Sequence, residues 1–257
     1  MRTVVITGSA SGIGFATAAI LRDLGDRVIG VDVHDADVTA DLTTARGRTA
    51  MVEGVRELSG GTVDVVVANA GLALPVANTF AVNYFGAVAT LEGLRPMLLR
   101  SDAPRAALTS STASLLTHDD VLVDAALAGD EIKAMVRAQE LVDADLGDLV
   151  YASSKVALSR WMRRNAPTSR WAGRGIPLNG IGPGVVETPM TADLMSTDEK
   201  RAALAEMVPM PLHGLMQAEV PARVLAWLVS EENTHLCGQL VFVDGGSDAV
   251  MRGDSTW

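Results

Sequence analysis

The sequence predicts an α/β protein, with a parallel sheet, right-handed crossovers and helices on both faces. Three observations predict it. Short Val/Ile-rich runs alternate with longer stretches of helical periodicity along the 257 residues. The short runs, such as "VDVVVAN", are nearly continuously apolar, as strands buried on both faces are. A glycine-rich stretch, "TGSASGIG", follows the first run directly.

Strand candidates run from Arg2 to Thr7, Asp26 to Asp32, Val63 to Asn69, Arg105 to Ser111, Pro177 to Gly184 and Gly238 to Gly246. The first helical stretch starts near Gly12 and stops at Gly25, which suits the position just past a helix end. Others are expected over Thr43–Leu58, Thr79–Arg100, Tyr151–Trp171 and Glu219–Ser230. Neither a repeat nor a low-complexity linker interrupts the series, so residues 1–257 read as one domain.

One segment breaks the rhythm. Residues 115–150 carry nine acids and two bases, a net −7 of the chain's −10. They hold two helical patterns. The first has Asp119 or Asp120 as N-cap and Gly129 as its stop, and the second begins at Asp130. Ile132, Met135 and Val136 give the second an apolar stripe. The segment reads as a helical insertion laid on the outside of the sheet, or as a solvated acidic face without a partner.

Composition bounds the function. The chain is 48% hydrophobic and 20% charged, as in a soluble globular protein. Its single cysteine, Cys237, allows no internal disulfide and suits a reducing, cytoplasmic setting. "MRTVVIT" already reads as a strand, so no cleaved signal is expected. No apolar run approaches the roughly 20 residues of a membrane helix, so no membrane partner is expected. A net charge of −10 argues against nucleic acid. The four histidines, His34, His118, His213 and His235, are scattered, and no metal site is expected.

The glycine loop points to a nucleotide. Gly8, Gly12 and Gly14 suit a tight turn, a close backbone approach to a pyrophosphate, and close helix–strand packing. The helix start beyond them offers free N–H groups and a positive dipole end. Ser11 and Ile13 lie within the same loop. Asp32 ends the second strand, 18 residues after Gly14. A carboxylate there accepts from an adenosine ribose 2′-hydroxyl and repels a 2′-phosphate. Neither Val33, His34 and Asp35 nor Ser11 supplies a permanent cation. NAD is therefore the expected cofactor.

The chain has two tyrosines and three lysines, and one of each meets in "YASSK". Tyr151 and Lys155 share a face if the segment is helical. An ammonium at about 4 Å in an effective dielectric near 20 is worth roughly 4 kcal/mol. That is enough to lower a phenol by up to about three units, to near 7. On this reading Lys155 makes Tyr151 a proton-transfer group at working pH.

With the loop, Asp32, "NAG", "SS", "YASSK" and "GPGVVETP" in this order, the whole chain resembles the classical short-chain dehydrogenase/reductase family. The resemblance implies a doubly wound (Rossmann) sheet of about seven parallel strands with the cofactor over their C-terminal ends. It implies that Asn69, Ala70 and Gly71 steady the sheet beside the cofactor, and that Asp41 and Leu42 contact the adenine. Thr188, after the Pro183–Gly184 turn, matches the residue that holds the nicotinamide carboxamide. Lys155 would also bind the nicotinamide ribose. Asn83 in "VNYFG" matches a helix asparagine that positions a water next to Lys155. Ser111 matches the serine that bonds the substrate oxygen, with Thr112 and Ser114 as alternatives.

"VNYFGA", the insertion and the ending "DGGSDAVMR" are most similar to the branch of bacterial 3α-hydroxysteroid dehydrogenase/carbonyl reductases. Ser111 and Tyr151 stand 40 residues apart, a departure from the usual short spacing. The resemblance also places a substrate lid over Thr188 to Met216. Met190, Met195, Met207, Met210 and Met216 lie there, either lining a hydrophobic alcohol or carbonyl site or filling gaps in a helical hairpin. The expected activity is NAD-dependent interconversion of a hydrophobic secondary alcohol and ketone, a steroid or bulky aromatic carbonyl. The rivals are a 3-oxoacyl-thioester reductase and a non-catalytic NAD-binding regulator. A homodimer is expected, with a tetramer as the alternative.

Overall fold

Val4 and Ile6 bury their side chains in one apolar core and Val5 in another, so the first strand has no wet face. That strand is β1 (Thr3–Thr7) in the computed structural model, which describes residues 1–255. The chain continues through α1 (Gly12–Asp23), β2 (Arg27–Asp32), β3 (Val38–Thr39), α2 (Ala45–Ser59) and β4 (Val65–Ala68). A short α3 (Ala77–Phe80) runs through a π-helical turn (Ala81–Gly86) into α4 (Ala87–Leu98). Then come β5 (Arg105–Thr109), α5 (Asp120–Leu127), α6 (Glu131–Asp143), α7 (Asp148–Asn165) and β6 (Leu178–Pro183). The remainder is β7 (Val186–Glu187), α8 (Asp198–Met207), β8 (Met216–Gln217), α9 (Glu219–Leu228), β9 (Leu240–Val243) and α10 (Ser247–Arg252).

The main sheet has seven strands in the order β3-β2-β1-β4-β5-β6-β9. Every pairing in it is parallel. Six of the strands coincide with the apolar runs. The seventh, β3, is only two residues long and carries no run to read. Leu21 of α1 and Leu225 of α9 cover one face of the sheet. Met51 of α2, Leu91 and Leu94 of α4 and Leu158 of α7 cover the other. Strand order reverses between β1 and β4, and a crevice opens there beyond the carboxyl ends of the strands. Among the described residues no helix is long and apolar enough to cross a membrane.

Helix ends follow their caps. Thr44 accepts from the Gly47 N–H and starts α2, and Gly60 in the left-handed region ends it. The helix expected over Tyr151–Trp171 instead starts at Asp148 and stops at Asn165. Pro167 follows within two residues and disfavours further helix.

The insertion folds as two helices. Asp119 caps α5 by accepting from the Leu122 N–H at 2.7 Å, and Asp130 caps α6. Of the apolar stripe on α6, only Met135 packs against the core. Ile132 is 81% exposed and Val136 is 55% exposed. The buried face carries Ala134, Ala138 and Leu141. Small side chains let α6 approach its neighbours closely, whereas Ile132 and Val136 would hold it off.

Candidate active site

The glycine loop sits at the mouth of the crevice between β1 and α1. Gly8 has φ +68° and Gly12 φ +53°, a region that side chains other than glycine rarely adopt. At Gly14 the constraint is space: a Cβ would lie 2.0 Å from the Gly8 carbonyl oxygen. Ser11 is the N-cap of α1 and its side chain makes no capping bond. The helix start is left open toward a cleft of about 570 Å³. Gly8, Ser11, Gly12 and Ile13 line that cleft, together with Asp32, Asp41, Leu42, Asn69, Ala70 and Gly71. Ser111, Tyr151, Lys155, Pro183, Gly184 and Thr188 complete the lining. A cradle of bare backbone at a helix N-terminus, with a carboxylate beyond it, fits a dinucleotide.

Each wall is tied down. Asp32 accepts from the Ala10 N–H at 2.9 Å and from the Val33 N–H at 2.7 Å, which locks its carboxylate at the end of β2. Asp41 accepts from the backbone N–H and the hydroxyl of Thr43. Leu42 is buried. The Asn69 amide donates to the Thr7 carbonyl at 3.2 Å and accepts from the Thr109 hydroxyl at 2.9 Å, so it spans β1, β4 and β5. The Thr7 hydroxyl accepts from the Asn69 and Ala70 N–H groups. Gly184 donates its N–H to Val243 at 3.0 Å, and the Thr188 N–H donates to the Thr191 hydroxyl.

Three hydroxyls competed for the serine position, and their surroundings separate them. Ser114 donates back to the Ser111 carbonyl at 2.7 Å. Thr112 is buried and donates to Pro183 at 3.3 Å. Ser111 lines the cleft with Tyr151, its hydroxyl accepting from the Ala113 N–H at 3.1 Å and opposing the rise of the Tyr151 phenol. The insertion, residues 115–150, lies between them in sequence without separating them in space.

Lys155 and Tyr151 lie on one side of α7, with the ammonium 5.7 Å from the phenol ring centroid. The Lys155 ammonium also donates to the Thr109 carbonyl at 3.1 Å. The expected lowering of the phenol does not hold in the free protein. Burial pushes the Tyr151 hydroxyl up, and the Ser111 hydroxyl opposes this only in part. Burial also pushes the Lys155 ammonium down, to about 8. Coulomb attraction alone favours the phenolate, but both groups lose water in the cleft, and desolvation dominates.

Asn83 sits in the π-helical turn with its side chain buried. It accepts from the Leu72 N–H at 2.8 Å and donates to the Leu72 carbonyl at 2.9 Å and the Ser154 hydroxyl at 3.0 Å. Both amide N–H groups are therefore taken by protein, and the positions Asn83 keeps for a water are acceptors only. Ser154 in turn donates to the Tyr151 carbonyl at 2.6 Å. Ser154 and the Thr109 carbonyl have no signal in the sequence, because their partners meet only in the fold.

The methionines of the lid region divide. Met190 lines the cleft and is exposed. Met216 is buried in the small ladder of β7 and β8. The Met210 sulfur accepts from the Val185 N–H at 3.2 Å, behind the Pro183–Gly184 turn. Cys237 packs with its thiol 3.4 Å from the Ala166 carbonyl, and His34 is exposed beside Asp35.

Known proteins share this fold. A family model described as short chain dehydrogenase matches residues 2–123, and one described as Enoyl-(Acyl carrier protein) reductase matches residues 133–248. The 3-alpha-hydroxysteroid dehydrogenase/carbonyl reductase of Comamonas testosteroni is 35% identical, with 98% of each chain covered. The cis-4-hydroxycyclohexanecarboxylate dehydrogenase of Sinomonas cyclohexanicum is 31% identical, with 97% of each chain covered. The crystal structure of a 3-alpha-hydroxysteroid dehydrogenase from Pseudomonas sp. B-0831, complexed with NADH, is 37% identical with a TM-score of 0.90. It covers 98% of this chain and 99% of its own. Glycine cradle, seven-stranded parallel sheet and kinship over nearly the full length converge on one assignment: the chain belongs to the short-chain dehydrogenase/reductase family of NAD(P)-binding oxidoreductases.

Proposed function

We propose that the protein interconverts a hydrophobic secondary alcohol and its ketone, with NAD as cofactor and a steroid or bulky aromatic compound as substrate. The observation that carries this reading is the convergence of Ser111, Tyr151 and Lys155 on the same cleft as the glycine loop. Bound NAD supplies the hydride acceptor, and its oxidised ring brings a positive charge. The Ser111 hydroxyl bonds the substrate oxygen and stabilises developing alkoxide character. With the charge of the oxidised ring and the Lys155 ammonium beside it, the Tyr151 phenol, raised in the free protein, would ionise once the cofactor is bound. The phenolate then takes the alcohol proton, and the neutral phenol returns it in the reverse direction. Lys155 holds the phenolate by charge and would also bond the cofactor ribose. Asn83 keeps the loop at Leu72 and the turn at Tyr151 in register through Ser154.

Asp32 supports NAD over NADP. Its carboxylate is fixed by two backbone N–H groups, and a 2′-phosphate there would meet a negative charge. The apolar substrate is supported by Leu72, Leu74, Val82 and Met190 in the cleft lining. A 3-oxoacyl-thioester reductase would use the same residues, but such enzymes usually prefer NADP, which Asp32 disfavours. A non-catalytic regulator would have no need of the phenol. We expect a homodimer; light scattering showing a tetramer would overturn that assembly.

The test is a panel of steroid and aromatic secondary alcohols, followed by NADH formation, with NADP and a 3-oxoacyl thioester as controls. Turnover of bulky alcohols with NAD is expected. Turnover confined to small charged substrates, or to the thioester with NADPH, would overturn the reading. Within the site, Ser111→Ala is expected to lose at least about a hundredfold in kcat, as loss of an oxyanion donor does. A larger loss in Ser114→Ala would move the role to Ser114.

A further inference from the structure

We propose that the two-helix insertion is a positioning element for the helix carrying Tyr151 and Lys155, with Asp119 and Arg137 as its positioning residues. This rests on the functional reading above. The insertion could cover that helix with apolar contacts alone, yet its hydrogen bonds fall beside the proposed catalytic residues. The Asp119 N–H donates to the Ser153 hydroxyl at 2.9 Å. Ser153 is fully buried and lies between Tyr151 and Lys155 in α7. On its other side Asp119 is doubly fixed. It caps α5 through Leu122, and the Arg137 guanidinium of α6 grips both carboxylate oxygens, at 3.2 Å and 2.7 Å. That guanidinium is the main reason the Asp119 carboxyl stays below its ordinary range.

A second grip lies beside Asn83. The neighbouring Tyr84 donates its phenol to the Ala126 carbonyl, in α5, at 3.0 Å. Burial pushes that phenol up to about 12, so it remains a donor at any working pH. A third joins α2 to the start of α6. The buried Arg48 donates to both oxygens of Glu131, at 2.6 Å and 2.8 Å, and lies over the Phe85 ring of the π-helical turn. The insertion thus holds the Asn83 turn and the Tyr151–Lys155 turn against each other. The glycine loop and Asp32, which would hold the pyrophosphate and the adenosine ribose, are outside these contacts. Loosening the insertion should therefore disturb proton transfer and leave cofactor affinity largely intact.

The experiment compares Arg137→Ala, Arg137→Lys and Ser153→Ala in the full chain, with NAD and a secondary alcohol the wild type oxidises. Arg137→Ala is expected to lower kcat at least about tenfold, as a small misplacement of reacting groups does, with the KM for NAD within about twofold. Arg137→Lys should recover most of the loss. Ser153→Ala should lose a similar factor, and Arg137→Ala added to it should cost little more, because both break one chain of contacts. Unchanged kcat in both variants with only a lower Tm would overturn the proposal, as would kcat and KM for NAD worsening in step. If Arg137→Ala fails to fold, Ser153→Ala decides: unchanged kcat there overturns the positioning role. A wild type that oxidises no alcohol with NAD would instead bring down the functional reading, and the proposal with it.

Discussion

Lys155 shows how one residue is tuned against stability. Its ammonium is buried and its pKa falls to about 8 from an ordinary 10.5. The folded protein therefore binds this proton less tightly than the unfolded chain. The resulting destabilisation is imposed in full below about pH 8 and relieved as pH rises from there toward 10.5. At pH 7 it is on the order of 3 kcal/mol. Lys155→Met is thus expected to raise the Tm of the cofactor-free protein at pH 7 while abolishing turnover. The Tm gap to the wild type should shrink between pH 8 and 10.5; a constant gap in thermal melts would contradict this. Asp32 offers a second test at the same scale. Asp32→Ser is expected to weaken NAD at least about tenfold in kcat/KM and to improve NADP, since the ribose bond and the repulsion vanish together. Unchanged preference would remove Asp32 from that role.

At the scale of elements, the glycine loop stands on backbone approach. Gly14→Ala would drive a Cβ onto the Gly8 carbonyl, and no side-chain movement relieves that contact. The variant is expected to lose NAD binding, read by fluorescence quenching, together with stability at the β1–α1 turn. Intact binding would mean the loop is looser than described. This loop was legible from sequence because three glycines, a preceding strand and a following helix must coincide. The face of α6 was not. Ile132 and Val136 look like core residues in any helical projection, but close packing selects Ala134 and Ala138 instead. The π-helical turn left no signal either, since Asn83 finds Leu72 and Ser154 only once the chain has folded. The direction of the Tyr151 shift is hidden for a related reason: a four-residue spacing reveals the neighbouring charge, but not how dry the cleft is.

For the whole molecule, the parallel sheet was readable because six strands are apolar on both faces. The edge strand β3 escaped because two residues make no pattern. The same architecture places the cofactor cradle, the Tyr151–Lys155 turn and the insertion around one crevice. Binding there should stabilise the entire fold: a hundredfold excess of NAD over its Kd is worth about 2.7 kcal/mol and should raise Tm by several degrees, about 2–4 °C per kcal/mol at this size. The central claim is that the Tyr151 hydroxyl, beside Lys155, exchanges the substrate proton next to bound dinucleotide. The most direct measurement is the kcat of Tyr151→Phe with NAD and an oxidisable alcohol, alongside its NAD affinity. The account expects turnover to fall by at least about a thousandfold, consistent with losing general acid–base catalysis, while NAD affinity changes little. Near-normal turnover in that variant would contradict it.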